Sequence, residues 1–176
     1  MAMSVLRRWL KRSKNSRKAE HMKRQILWAT LALTTACYGT MERHPGVKAN
    51  PLNKEVVAVL DAYQLAMTSK NATALGDLVA VDFMEDMGTP DPSDDFGGRD
   101  EVVRRAQDRF SKIDELHMNL QLKEVHSDKD TVRARYAVQM RFRYKMPAGE
   151  GWERLDDVEE LVLVRRDGKL RILSGL

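Results

Sequence analysis

The sequence has few of the residues that usually mark a covalent scaffold or a metal site. Cys37 is the single cysteine among 176 residues, so the chain cannot close a disulfide on itself. The four histidines include no pair at metal-ligand spacing. No apolar run reaches the roughly 18 residues that a membrane-spanning helix requires. These absences exclude a disulfide-rich scaffold and a spanning helix, and we expect neither a metal nor a cofactor.

Acidic residues are almost missing from the first 36 positions. That segment holds nine of the 30 Lys and Arg residues but one of the 26 acidic residues. The rest of the chain therefore carries 21 basic and 25 acidic residues, a net charge of −4. Because nucleic-acid binding requires a basic surface on the folded domain, this charge argues against a nucleic-acid partner.

Residues 22–36 have the layout of an export signal. A short positive stretch is followed by eleven largely apolar residues, Ile26–Ala36, which fit the core of a signal peptide. Small residues then precede Cys37, an arrangement that resembles a bacterial lipoprotein signal, although Thr34 stands where that family usually has leucine. The resemblance implies that Cys37 is lipidated. It also implies a membrane-anchored protein of the cell envelope, on the periplasmic or outer-surface side.

Two alternatives to lipidation stay open. Ordinary signal cleavage would leave Cys37 as a free or pairing thiol, and a cytosolic protein would keep the whole segment. We interpret residues 1–21 as a basic leader, or as sequence upstream of the true start if translation begins at Met22. Residues 37–52 contain two prolines and no apolar period, which predicts a flexible tether.

From residue 53 onward the apolar pattern predicts three helices. Asn53 is a suitable N-cap for the first, whose apolar residues follow at helical spacing: Val56, Val59, Leu60, Tyr63 and Met67. Asn71 is expected to cap a second, short helix. A short strand over 82–88 and a loop over 88–98 then lead to a third helix from about Asp100 to Lys112.

The apolar period then changes to two, as expected for strands with one buried face. Alternation runs through residues 116–123 and again through 132–146, where the even-numbered residues are apolar. A third long strand is predicted over about 153–166, followed by an Asp167-Gly168 hairpin turn and a last strand. Helices followed by an antiparallel meander predict an α+β domain over residues 53–176, with three N-terminal helices on one face of the sheet.

This order of elements resembles the nuclear transport factor 2-like superfamily, which includes the SnoaL-like domains. The segments that carry the resemblance are Val59–Met67 with Tyr63, Asn71–Val81 leading into Asp82 and Phe83, Gly98–Val102, and Leu161–Ser174. It implies a curved antiparallel sheet wrapped into a cone, a pocket inside the cone, and frequent homodimers formed through the outer sheet face. It implies no reaction, because the superfamily includes isomerases, dehydratases and members without known chemistry.

The residues proposed for the pocket are Tyr63, Asp86, Met87, Tyr136, Met140 and Glu160. The resemblance places Tyr63 where ketosteroid isomerases have a hydrogen-bonding tyrosine, but their carboxylate base falls on Met87, one residue after Asp86. A shift of one residue turns a strand side chain to the opposite face, so this register argues against isomerase chemistry.

The orientation of Glu160 stays open at this point. If the even-numbered residues of the third strand continue the buried face, Asp156 and Glu160 point into the cone, where a carboxylate is suited to acid–base work. If Leu161 and Leu163 mark the buried face instead, both acids lie outside.

We interpret the chain as an exported, lipid-anchored, non-catalytic domain that binds a small apolar ligand or a protein partner. One alternative is a lyase or isomerase that uses Tyr63 with Asp86 or Glu160. The other is a dimeric assembly module with a filled core. A core filled by side chains would favour assembly, and an open pocket with a buried acid would favour an enzyme.

Overall fold

The computed structural model of the protein describes residues 39–86, 94–145 and 151–176. The described residues all belong to one compact unit, Tyr38–Leu176. None of the helices described is long and apolar enough to cross a membrane. The predicted signal, Cys37 and Met87 lie outside the described residues.

A β-hairpin occupies most of the segment that was predicted to be a flexible tether. β1 (Thr40–Met41) pairs antiparallel with β2 (His44–Lys48). His44 and Val47 are buried, and Nδ1 of His44 accepts a hydrogen bond of 3.1 Å from the backbone N–H of Leu122. The tether prediction is therefore wrong for this hairpin. Its two inward side chains are too few to produce a recognisable period.

The first helix, α1 (Pro51–Thr68), begins three residues earlier than predicted. Its N-cap is Asn50, whose side chain accepts a 2.7 Å hydrogen bond from the backbone N–H of Asn53. Pro51 suits the first helical position because the N–H that it lacks would have no partner there. Asn53, the predicted cap, is instead buried, and its Nδ2 donates to the carbonyl oxygen of Lys48 at 2.9 Å. Asn53 thus ties α1 to the hairpin.

Two further helices follow, separated by a short ladder. α2 (Ala72–Gly76) is capped by Asn71 as predicted, through a 2.9 Å bond from the N–H of Ala74. β3 (Met84–Glu85) pairs antiparallel with β4 (Phe96–Gly97), and α3 (Arg99–Lys112) comes next. The three helices are therefore not a continuous N-terminal block, since a hairpin precedes α1 and a ladder precedes α3.

Four strands form one antiparallel sheet in the order β5-β6-β7-β8. They are β5 (Ile113–Ser127), β6 (Thr131–Tyr144), β7 (Gly151–Arg166) and β8 (Lys169–Ser174). The pairing of β5 with β6 shifts register between Leu122 and Glu124, a bulge that bends and twists the strand. Asp167 and Gly168 have φ of 49° and 76°, which confirms the predicted hairpin turn.

The hydrophobic core lies between the helices and one face of this sheet. Its fully buried members come from both layers: Val56 and Leu60 of α1, and Leu122, Leu161, Leu163 and Ile172 of the strands. Burying each such side chain stabilises the fold by roughly 1.5–3 kcal/mol. The free edge of β8 is covered by the chain after α2, because Ile172 exchanges backbone hydrogen bonds with Leu78 (2.9 Å) and Ala80 (2.7 Å).

Candidate functional site

A cavity of about 60 Å³ lies beside α1 and α3. Apart from one tyrosine and two arginines, the side chains that line it are apolar: Met67, Leu75, Phe96, Val102, Ala106, Phe110 and Leu176. Each buried water needs roughly 10–15 Å³ of such space for its centre, so this cavity has room for about five waters. Five waters together fill a volume close to that of one small organic ring. The core beside the first helix is therefore not completely filled.

Tyr63 of α1 and Tyr136 of β6 are two largely buried tyrosines close to this cavity. Tyr63 is 7% exposed and lines the cavity, whereas Tyr136 is 2% exposed and is not among the lining residues. Neither hydroxyl forms a hydrogen bond with a described residue, and neither oxygen is completely shielded from solvent. Burial raises the pKa of Tyr63 to about 12 and raises the pKa of Tyr136 further, so both phenols are neutral donors at pH 7.

Two carboxylates lie near the tyrosines and differ in how they are held. Glu159 of β7 stands directly opposite Tyr136 in the β6–β7 ladder, on the same face of the sheet. After burial, its negative charge is the largest influence that raises the pKa of Tyr63. Oε2 of Glu85 accepts hydrogen bonds from the backbone N–H groups of Gly175 (2.6 Å) and Leu176 (3.0 Å), which holds Leu176 at the cavity. Glu85 is thus engaged, whereas Glu159 has no ion-pair partner in the part of the chain that is described.

The two arginines of the cavity wall also differ. Nε of Arg105 donates to Oε1 of Glu101 at 2.8 Å, and its guanidinium lies 4.0 Å from the centre of the Phe96 ring. Arg109, one helical turn later, is exposed, and none of the described carboxylates lies within ion-pair distance of it. Its positive charge lowers the pKa of Tyr63, partly opposing Glu159. The described residues contain no group of three His, Cys, Asp or Glu side chains that could hold a metal.

Glu160 and Asp156 lie on the outer face of the sheet. Nη1 of Arg133 donates to Oε1 of Glu160 at 2.7 Å, and Asp156 pairs with Arg154 of its own strand. Leu161 and Leu163 are fully buried, which makes the odd-numbered residues of β7 face the core. The hypothesis of inward-facing even-numbered acids is therefore wrong, and the alternative is confirmed.

Asp86 and Met140, two other predicted pocket residues, do not line the cavity. Asp86 is exposed, and its neighbour Glu85 is the carboxylate that approaches the tyrosines. Met140 is partly buried and lines a separate surface depression together with His117 and Arg141. Of the predicted set, the structure brings together Tyr63 and Tyr136.

Sequence reasoning missed Arg109 and Glu159. The signal for Arg109 was its place in the stripe of α3: it follows Val102 by seven residues and Ala106 by three, so it shares their face. The signal for Glu159 was its alternation with Leu161, which puts both on one face of β7.

Comparison with known proteins supports the fold. A family model described as a SnoaL-like domain matches residues 56–175, more than two thirds of the chain. Among the curated proteins no significant match was found.

Solved structures share the architecture at low sequence identity. The Kfla4162 protein from Kribbella flavida superposes with a TM-score of 0.60 at 16% identity, covering 70% of this chain and 86% of that one. A candidate dehydratase of the NTF2-like family from Streptomyces avermitilis has a TM-score of 0.57 at 17% identity, covering 70% and 92%. A type 2 hexachlorocyclohexane dehydrochlorinase (LinA) has a TM-score of 0.59 at 12% identity, covering 70% and 82%. At these identities the likeness concerns the fold alone.

Proposed function

The chain belongs to the SnoaL-like domain family, whose fold binds ligands, and from that premise we propose that its cavity binds one small, largely apolar molecule about the size of a single ring. Tyr63 carries the proposal, because its side chain is only 7% exposed, lines an apolar cavity and forms no hydrogen bond with the described residues. A ligand oxygen placed against Tyr63 would give this hydroxyl a hydrogen-bond partner.

The chemistry of the wall defines the ligand further. Neutral tyrosine hydroxyls donate to a carbonyl, ether or hydroxyl oxygen, while Phe96 and Phe110 offer aromatic contact to a ring. The ligand we propose therefore has an apolar ring and at least one oxygen that accepts a hydrogen bond. No chemical step is required of the protein, so the proposal is a binding function.

Ligand-induced stabilisation tests this proposal. A panel of single-ring compounds, with and without an oxygen acceptor, is added to the protein during thermal denaturation. Binders with an acceptor should raise Tm, and Tyr63→Phe should weaken their binding about tenfold. Tyr144→Phe is the matched control, since Tyr144 packs edge-on against Phe142 and does not line the cavity. A panel in which no compound stabilises the wild-type protein would reject the proposal.

A second candidate function, lyase or isomerase chemistry, is favoured by the position of Glu159. Its carboxylate projects from the same sheet face as Tyr136, and its charge raises the pKa of both tyrosines. A base beside hydroxyl donors could remove a proton from the carbon next to a ligand carbonyl while Tyr63 donates to the oxygen. This arrangement replaces the predicted pairing of Tyr63 with Asp86 or Glu160.

Deuterium exchange distinguishes binding from catalysis. A cyclic ketone that stabilises the protein is incubated with it in D₂O, and loss of the proton next to the carbonyl is followed by NMR. Catalysis predicts fast exchange that Glu159→Gln abolishes while binding is retained. Exchange at the rate of buffer alone would leave binding as the function.

We further propose that the domain is exported and anchored through a lipidated Cys37. The support is the sequence pattern of residues 22–36, with small residues directly before the cysteine. Expressed from Met22 in a bacterial host, the protein should enter the membrane fraction and gain the mass of acyl chains, and Cys37→Ser should prevent both. An unmodified Cys37 at the start of a soluble mature chain would contradict lipidation and leave export intact.

A further inference from the structure

α3 carries five cationic side chains, and four of them pair with a described carboxylate. Arg99 pairs with Asp77 of the loop after α2 (2.7 Å), Arg104 and Arg105 with Glu101, and Lys112 with Asp108 (2.6 Å). Arg109 is the exception: none of the carboxylates described lies within ion-pair distance. It is also one of the two α3 cations that line the cavity, and the other, Arg105, is already paired.

The position of Arg109 follows from the helical repeat. Val102, Ala106 and Phe110 form the buried stripe of α3, and Arg109 stands beside Phe110 on that side of the helix. Its long apolar stem can follow the cavity wall while the guanidinium stays at the exposed rim. When the apolar part of a ligand fills the cavity, the guanidinium of Arg109 therefore lies next to the part of the ligand at the rim.

From this geometry we infer that the ligand bears a carboxylate that pairs with Arg109 at the rim while its ring occupies the apolar cavity. The inference rests on the proposed function, because it names the class of molecule: a monocyclic carboxylic acid, ionised at neutral pH. A planar guanidinium binds a carboxylate through two parallel hydrogen bonds. Tyr63 supplies a further donor from inside the cavity.

The negative charge of Glu159 offers an alternative explanation for the position of Arg109. It belongs to the same neighbourhood, since its charge and that of Arg109 act on Tyr63 in opposite directions. If Arg109 and Glu159 affected ligands only by maintaining the structure of the site, removing either side chain would weaken benzoate and benzamide alike. If Arg109 receives a carboxylate, removing the negative charge of Glu159 should instead strengthen binding of an anion.

The test compares benzoate with benzamide, which have nearly the same shape and differ in charge. Binding to the full chain is measured by NMR titration at pH 7 and low salt. Benzoate should bind about tenfold tighter than benzamide, Arg109→Gln should remove the preference, and Arg109→Lys should restore part of it. Arg104→Gln is the control, because Arg104 pairs with Glu101 and does not line the cavity. Glu159→Gln should increase the preference for benzoate.

The outcomes separate the inference from the proposed function. Equal binding of benzoate and benzamide by the wild type would overturn the carboxylate and leave a neutral apolar ligand. A preference for benzoate that survives in Arg109→Gln would overturn the role of Arg109. Equal weakening of both compounds by Glu159→Gln and by Arg109→Gln would show that the two residues maintain the structure of the site, which also overturns it. Failure of both compounds, and of the neutral panel, to bind would reject the binding function itself.

Discussion

Tyr136 and Glu159 stand directly opposite each other on neighbouring strands, and both side chains leave the sheet on the side of the helices. The pair differs in burial, since Tyr136 is 2% exposed and Glu159 reaches solvent. An acid next to a buried phenol raises the pKa of the phenol, because a second negative charge would be repelled. Glu159 therefore helps to keep the tyrosines of the site in the donor form.

Because the pKa of Tyr63 is raised, the free energy of unfolding should decrease at alkaline pH. An unfolded tyrosine has a pKa near 10, and burial raises the pKa of Tyr63 to about 12. Its neutral form is favoured in the fold, so the contribution is complete below pH 10 and is lost as the pH rises toward 12. Between pH 8 and pH 11 this group alone should lower the free energy of unfolding by about 1.4 kcal/mol. Urea unfolding of the wild type and of Tyr63→Phe measures the difference, and equal pH slopes would contradict it.

The sequence was sufficient for several elements of the fold, and the physical reasons are visible. Asn71 caps α2, and Asp167 and Gly168 make the predicted turn, because both motifs depend on local chemistry alone. The alternation at the start of β6 is confirmed by the burial of every second residue from Val132 to Val138. Where neighbouring residues offer equivalent chemistry the prediction failed, as with Asn50 and Asn53, both suitable caps.

The face assignment of β7 could not be obtained from pattern. Residues 152–160 are all exposed, so this half of the strand carries no burial signal. Apolar residues also stand on both of its faces: Leu155 at 39% exposure and Val158 at 47%. The burial of Leu161 and Leu163 and the pairing with β6 decide the orientation, and both depend on long-range contacts. For the site, Tyr63 was predictable from the helical stripe of α1, whereas Arg109 was missed despite its place in the stripe of α3, because a charged residue is expected to avoid a buried face.

Core packing predicts a clear contrast between two side chains of the sheet. Leu122 is completely buried, so Leu122→Ala should lower the free energy of unfolding by about 2–5 kcal/mol through lost burial and a new cavity. Met140 is only partly buried at the edge of the core, and Met140→Ala should cost less than that range. Denaturant unfolding of both variants measures the costs. Equal losses would show that Met140 is packed more tightly than its exposure indicates.

We predict that the domain needs the N-terminal hairpin of β1 and β2 for full stability. A protein that starts at Gly39 retains β1, β2 and the cap of α1, and it should unfold cooperatively with a high Tm. A protein that starts at Pro51 loses buried Val47 and the capping Asn50, contributions of roughly 1.5–3 and 1 kcal/mol. Its Tm should be clearly lower. Calorimetry of the two proteins, with Asn50→Ala in the longer one as a control for the cap, decides whether residues 39–50 belong to the fold.

His44 predicts that stability also falls on the acid side. Its Nδ1 accepts the N–H of Leu122, which requires the neutral ring, and burial and then the nearby charge of Arg43 lower its pKa. Asp61, which pairs with Arg43 at 3.3 Å, opposes this effect on the pKa only in part. A histidine with a lowered pKa contributes stability that is complete above its unfolded value near 6.5 and is lost as the pH falls below it.

Urea midpoints should therefore drop between pH 7 and pH 5. His44→Gln keeps an acceptor for the Leu122 N–H without a titrating ring, so it should flatten this dependence. A slope that survives in His44→Gln would assign it to another group.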